Sequence, residues 1–330
     1  MTLDRDAILS LLKGENDTWL FGTARNTTRE VFGDEIYLRG IVEFSNFCRC
    51  QCNYCGLRGG NHGIRRYRLC HHEIMEAVEE LADLDLATVV LQCGEDPHFD
   101  VTTVGEIIRE IKAKHKVAIT LSLGERGEEA FAHWRECGAD RYLLKMETLD
   151  EDLYNTYRPG SNFEDRLKGV ALLRELGYEA GSGIITGLPG MTLETLADDI
   201  LGLTEMGLHM ISAGPFVPHP QTPFGEVPEG DVDVCLRTMA ILRILNPKAN
   251  IPSTSALETV RKSGRKMGIE AGANVLMFSV TPASVRKSYS IYPGKNEEEK
   301  SAAETVAGAH ELIRSMGLIP SMKVGGSKVR

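Results

Sequence analysis

From residue 36 onward the chain alternates short β-branched apolar runs with longer stretches of helical periodicity. The runs Ile36–Ser45, Thr88–Gly94, Ala118–Gly124, Arg141–Thr148, Ala180–Gly187, Met210–Val217, Asn250–Thr254 and Asn274–Val280 read as strands. Between them, apolar residues recur at three- and four-residue spacing. Phe163, Leu167, Val170 and Leu173 form one such face. That helix opens on Ser161-Asn162-Phe163-Glu164, a capping-box pattern, and Gly177 ends it. Thr148-Leu149-Asp150-Glu151 repeats the start signal after the fourth run. Eight strand–helix units in series predict an α/β fold, a parallel (β/α)8 TIM barrel. An open eight-stranded sheet is the alternative.

The first 35 residues read as two helices, with cores at Asp4–Leu12 and Trp19–Phe32, placed to cap the barrel's bottom. After the eighth strand come Tyr292-Pro293-Gly294 and a last helix near Glu297–Ser315. The Gly-rich, basic tail Lys323-Val324-Gly325-Gly326-Ser327-Lys328 reads as a mobile or loosely packed end. No linker or low-complexity segment interrupts the pattern. The expectation is a single domain over 1–330, with a helical cap at 1–35, the barrel at 36–290 and an extension at 291–330.

The length of 330 residues suits one barrel and buries a large core. Hydrophobic residues make up 42% and charged ones 25%, as in ordinary soluble proteins. No apolar run reaches the about eighteen residues of a membrane span. The start, Met1-Thr2-Leu3-Asp4-Arg5-Asp6, is acidic where a signal peptide would be basic. A cytoplasmic protein is expected. The net charge of −10 argues against a nucleic-acid partner, because phosphate binding wants a basic face.

Of eight cysteines, Cys70, Cys93, Cys137 and Cys235 are scattered, and four crowd into Cys48-Arg49-Cys50-Gln51-Cys52-Asn53-Tyr54-Cys55. That is metal-binding usage, not a disulfide framework. Cys48, Cys52 and Cys55 have C-x3-C-x2-C spacing. Three thiolates can hold three irons of a 4Fe–4S cubane and leave the fourth open to a small molecule. A closed zinc site wants four ligands, usually as two paired knuckles, and the chain has no second C-x2-C pair. Cys50, His62 or Cys70 could complete a zinc site, and unliganded thiols are a third possibility.

In a barrel the chemistry sits at the C-terminal ends of the strands. Those ends carry the cysteine loop, Gln92-Cys93-Gly94-Glu95-Asp96, Thr120-Leu121-Ser122-Leu123-Gly124-Glu125, Gly183-Ile184-Ile185-Thr186-Gly187, Gly214-Pro215-Phe216-Val217-Pro218-His219-Pro220 and Ser253-Thr254-Ser255. Arg141, Lys145 and Glu147 lie within the fourth run. A charge inside a barrel strand is costly unless paired or used. Glu147 is therefore either half of a structural ion pair or a functional group.

These residues resemble the radical S-adenosylmethionine (radical SAM) superfamily. Cys48-x3-Cys52-x2-Cys55, with Tyr54 before the last cysteine, is similar to its cluster signature. Cys93-Gly94-Glu95-Asp96 resembles its glycine–glutamate motif, which meets the SAM amino group. Ile41-Val42-Glu43-Phe44-Ser45-Asn46, Cys55-Gly56-Leu57-Arg58, Gly138-Ala139-Asp140-Arg141-Tyr142-Leu143-Leu144 and Tyr292-Pro293-Gly294-Lys295 resemble the HydE-like subgroup of FeFe-hydrogenase maturases. Biotin synthase and methylornithine synthase share that subgroup.

The resemblance implies a radical SAM enzyme with one 4Fe–4S cluster on Cys48, Cys52 and Cys55. Tyr54, Gly94, Glu95, Ser122, Glu147, Arg166 and Ile185 would meet S-adenosyl-L-methionine. Thr120, Arg141, Lys145, Thr254, Ser255, Tyr289 and Tyr292 would line the substrate cavity. The partners implied are a small carboxylate- and sulfur-containing substrate, a reductant protein such as ferredoxin or flavodoxin, and maturation partner proteins. No nucleic acid and no membrane are expected.

The chain departs from the subgroup in places. Lys145-Met146 stands where the subgroup has Arg-His, and Phe278-Ser279 where it has Pro-Asn. No cysteine follows Cys235, so a second cluster has no ligands. Lysine cannot make arginine's bidentate contact, so these changes, expected to face the cavity, point to a different substrate. Two other readings stand beside this one. A mutase of the methylornithine-synthase kind would need a carboxylate for an amine, with Glu258 as candidate. A carrier that delivers a cluster without turnover would not need SAM contacts.

Overall fold

A computed structural model describes residues 3–297 and 299–329. Among the described residues nine parallel strands form one sheet: β1 Glu35–Ser45, β2 Thr88–Cys93, β3 Ala118–Ser122, β4 Arg141–Leu143, β5 Glu179–Thr186, β6 Met210–Pro215, β7 Pro252–Ser253, β8 Val275–Ser279 and β9 Ile319–Ser321. They pair in the order β6-β5-β4-β3-β2-β1-β8-β7, with β9 beside the start of β1. The edges β6 and β7 meet at Met210 and Asn250. There Ile211 N donates to Asn250 O at 3.0 Å and Asn250 N to His209 O at 2.9 Å. The result is a nearly closed eight-stranded barrel, which removes the open-sheet alternative.

Outer helices supply the apolar layer. Val42, Val78, Leu81, Ile108, Leu121, Ile184 and Ile211 belong to one continuous core and are fully buried. Each such side chain stabilises the fold by about 1.5–3 kcal/mol relative to exposure. The helix Phe163–Glu175 is capped by Asn162, whose side chain accepts from Asp165 N at 2.9 Å. The next start signal resolves the same way, with Asp150 accepting from Leu153 N. In both cases the cap lies inside the predicted box rather than at its first residue.

Two strands, β4 and β7, are cut back the most from the predicted runs. β4 ends at Leu143, not Thr148. The chain rejoins β5 at Glu147, whose N–H donates to Gly183 O at 2.9 Å and whose carbonyl accepts from Ile185 N at 3.1 Å. Glu147 has φ +72°, a left-handed conformation uncommon for a residue with a side chain. β7 is only Pro252–Ser253, because Pro252 has no N–H to give to a ladder.

The bottom of the barrel also differs from expectation. The two N-terminal helices, Arg5–Leu12 and Asp17–Phe32, pack on the outer helices Leu193–Glu205 and Val232–Leu245. Ion pairs Arg5–Asp198 (2.6 Å) and Arg237–Asp17 (2.8 Å) fix them there. The tail expected to be mobile closes the floor instead. Val324 O accepts from Thr88 Oγ1 (3.0 Å) and Arg141 Nη2 (3.1 Å), and Gly325 O accepts from Arg39 Nη2 and Asn250 Nδ2, both at 3.0 Å. Buried donors on or beside β1, β2, β4 and β7 need acceptors, and the tail's carbonyls satisfy them. A Cβ on Gly325, at φ +58°, would collide with the Tyr37 ring.

Candidate active site

The opposite end of the barrel opens into a cavity of about 350 Å³. Side chains alternate along each strand, so the deeper wall takes mainly every second residue. Ile41 comes from β1, Gln92 from β2, Ser122 from β3, Leu143 from β4, Ile185 from β5, Met210 and Ser212 from β6, and Met277 from β8. The cysteine loop forms one side of the mouth, with Cys48, Cys50, Cys52 and Cys55 all on the wall. Gly94 lets that loop approach β2, since a Cβ there would strike Phe47 O and Cys48. Glu95 N–H donates to Cys48 Sγ at 3.4 Å. A hydrogen bond from Cys50 holds the Cys52 thiol down at about 6, helped by Arg158 against burial; burial pushes Cys55 up.

Across the mouth stands a buried charge network. Glu95 meets Arg158 at 3.3 Å and Arg166 at 3.4 Å, with Arg49 at 3.4 Å from outside. Arg166 also pairs with Glu125 at 2.8 Å and donates from Nε to Lys145 O at 2.9 Å. Burial would raise the Glu95 carboxyl, but Arg166 and Arg158 outweigh it and hold it below its ordinary value. Arg158 Nη1 reaches Tyr54 Oη at 3.4 Å. Lys145 Nζ lies 2.9 Å from Glu147 Oε2, so the Lys–Glu pair inside the barrel is present and faces the cavity. Tyr292 and Ser255 share a hydroxyl contact at 2.6 Å.

The cavity wall thus includes Tyr54, Gly94, Glu95, Ser122, Lys145, Glu147, Arg166, Ile185, Thr254, Ser255, Tyr289 and Tyr292. Thr120 and Arg141 are exceptions among the expected residues. They pair with one another in register, one rung below Ser122 and Leu143, beneath the cavity floor. Arg141 starts its strand, and there it binds Glu179 at 2.6 Å and the tail. Glu258 is exposed and accepts from Ser263 N and Arg265 N, away from the cavity. Met146 and Phe278 are buried in the outer core; of the residues expected to alter the wall, only Lys145 does. Sequence reasoning missed Arg158, Ser212, Met277 and Lys295 on the wall. Arg158 follows a short helix with no periodic signal of its own, whereas Ser212 and Met277 lie on the interior rungs of predicted strands.

Among the described residues no three His, Cys, Asp or Glu side chains converge as one metal ion would require. Zinc needs its sulfurs about 2.3 Å from a single point. A cubane differs, since each thiolate binds a separate iron. Ser212 Oγ and Thr254 Oγ1 face the cavity, buried and without a hydrogen-bond partner among the described residues. Such orphans await a polar ligand. The donor set and these hydroxyls fit a cluster at the mouth with a polar small molecule beneath it.

Comparison with known proteins decides the family. The profile of the Radical SAM superfamily matches residues 42–201, and that of the Biotin and Thiamin Synthesis associated domain matches 212–317. The [FeFe] hydrogenase maturase subunit HydE of Thermotoga maritima is 42% identical over 96% of this chain and 90% of its own. The chain belongs to the radical SAM superfamily, in its HydE-like group. It is a radical SAM enzyme. It is also 29% identical to the 3-methylornithine synthase of Methanosarcina acetivorans, over 96% of this chain and 89% of that one. The crystal structure of methylornithine synthase (PylB) superposes with a TM-score of 0.86 at 26% identity, covering 97% of this chain and 95% of that chain. Among the described residues no helix is long and apolar enough to cross a membrane.

Proposed function

We propose that Cys48, Cys52 and Cys55 hold a single 4Fe–4S cluster and that S-adenosyl-L-methionine binds beside it. When bound and reduced, this pair supplies a 5′-deoxyadenosyl radical. The residues of the chain bind and orient. Arg166, freed from Glu125, pairs with the SAM carboxylate. Glu147 accepts from the ribose hydroxyls or the amino group, Ser122 and Ile185 flank the nucleoside, and Tyr54 lies by the adenine. Gly94-Glu95 meets the SAM amino group, and Glu95 also keeps Arg158 and Arg166 in place. The observation that carries the reading is the placement of the cysteine loop, Ser122, Glu147 and Arg166 around one cavity.

The substrate is a small carboxylate- and sulfur-containing molecule, used in hydrogenase cofactor maturation or a paralogous reaction. Lys145, Thr254, Ser255, Tyr289 and Tyr292 hold it. A reductant protein such as ferredoxin or flavodoxin supplies electrons. Lys145 is a point charge already shared with Glu147, so it grips a carboxylate more loosely than an arginine would. This looser grip favours the paralogous reaction, on a substrate different from that of the hydrogenase maturases.

Two assays test this. Anaerobic protein with iron, sulfide, SAM and dithionite should release 5′-deoxyadenosine, detected by mass spectrometry; no release sinks the proposal. The protein is then supplied to a strain lacking its own HydE but keeping the other maturases. Full restoration of hydrogenase activity refutes the altered substrate.

A further inference from the structure

Two of the motifs that carry the resemblance, Ile41–Asn46 and Tyr292–Lys295, contain charged residues, Glu43 and Lys295, that have no part in the reading above. They meet in space. Glu43 lies on the interior face of β1, one rung above Ile41 of the cavity wall, and is 0% exposed. Its carboxylate receives Lys295 Nζ at 3.2 Å, Asn296 Nδ2 at 3.1 Å and Ser279 Oγ at 2.5 Å, and the Thr281 hydroxyl as well. Burial alone would raise this carboxyl; Lys295 and the three hydrogen bonds outweigh it and keep it ionised.

Lys295 belongs to a strap, Ser288–Asn296, that has neither helix nor strand. The strap supplies Tyr289, Ile291, Tyr292 and Lys295 to the cavity wall. Among the described residues its other ties to the barrel are neutral: Gly56 N to Ile291 O at 2.9 Å, Asn46 Nδ2 to Ser288 O at 2.7 Å, and Tyr292 Oη with Ser255 Oγ. Lys295 is the strap's only charged residue. Its ammonium is buried and has Glu43 as counter-charge.

We propose that Glu43 is a positioning residue: through Lys295 and Asn296 it latches the strap over the cavity and so sets the tyrosine wall that encloses the reacting molecule. A carboxylate inside β1 is costly filler, and three neutral donors beside it would satisfy a neutral amide less well. What the charge adds is a fixed partner for a side chain of the strap. A radical site needs such closure, because an open wall lets water and reductant reach the reacting centre. The inference rests on the proposed function only for what the cavity holds; the latch itself is a statement about the strap.

The test compares Glu43→Gln, Lys295→Met and the double variant as purified holoenzymes. Glu43→Gln should lower the thermal midpoint most, because it strands an ammonium. The double variant should regain much of that loss, since neither charge is then left alone. Strap motion should not recover with it. Amide exchange over 288–296 should be about tenfold faster in all three variants, with exchange over 37–45 unchanged. With SAM and dithionite alone, release of 5′-deoxyadenosine should rise about threefold, with SAM affinity held. A double variant whose strap exchange returns to wild type along with stability would reduce the pair to a structural one and overturn the proposal. Faster exchange with an unchanged SAM-cleavage rate would also overturn it. Absence of SAM cleavage in the wild-type protein would count against the function proposed for the cavity, and the exchange measurements would still decide the latch.

Discussion

Asp199 offers the sharpest pH test. It sits on the helix Leu193–Glu205, 1% exposed, and accepts from Leu149 N at 2.5 Å and Thr148 Oγ1 at 3.2 Å. It thereby holds the turn that follows Glu147 in its left-handed conformation. Burial pushes its carboxyl up to about 7, against the pull of those two donors. A group raised in the folded state gives stability that is complete below its unfolded value and is lost as pH rises through the folded one. The window runs from about pH 4 to about pH 7, at about 1.4 kcal/mol per unit. Between about pH 5 and pH 8 the wild-type protein should therefore lose about 2–3 kcal/mol from this group. Asp199→Asn keeps an acceptor for Leu149 and removes the titration. Urea unfolding of apo-protein under anaerobic, reducing conditions measures both at the two pH values. The stability difference, wild type minus variant, should fall by that amount from the lower pH to the higher. A difference that stays constant within about 0.5 kcal/mol would refute burial as the controlling influence on Asp199.

Three further outcomes are expected. Single Ala variants of Cys48, Cys52 or Cys55 should lose the iron and sulfide of the cluster, and Cys50→Ala should retain them; equal loss from Cys50→Ala would show four-cysteine ligation. Glu147→Ala and Arg166→Ala should each weaken SAM binding by about 1.5–3 kcal/mol, roughly ten- to a hundred-fold by calorimetry, with the cluster spectrum intact. Gly325→Val should lower the thermal midpoint of the whole barrel, because a branched side chain at φ +58° meets the Tyr37 ring; an unchanged midpoint would mean the floor is not coupled to the fold.

The barrel was legible because its strands are short β-branched runs set between amphipathic helices, a pattern with few topological solutions. The cysteine loop was legible because Cys48, Cys52 and Cys55, the proposed cluster ligands, fall within one short stretch of sequence. What failed depended on rung and rotation. Arg141 and Lys145 look alike in the chain, yet Arg141 begins β4 and serves the floor while Lys145 lies beyond the strand's end and faces the cavity. Glu147 looked like a strand residue because nothing local marks a left-handed turn at a glutamate. Arg158 was invisible because its importance comes from Glu95 and Tyr54, both far away in sequence. The tail misled through composition: glycine and lysine read as loose chain, but its contribution is made by peptide carbonyls, which any composition provides.

That last point bears on how the gene can drift. The floor takes two backbone oxygens from the tail and all its side-chain donors from Arg39, Thr88, Arg141 and Asn250. A saturation scan should therefore find a lopsided map. The four donors should be intolerant, Gly325 should refuse nearly every replacement, and Val324 should accept most side chains. Apart from Gly325, descendants of this chain could change the tail's letters freely, and an alignment would record one fixed glycine in a segment of noise whose path is fixed.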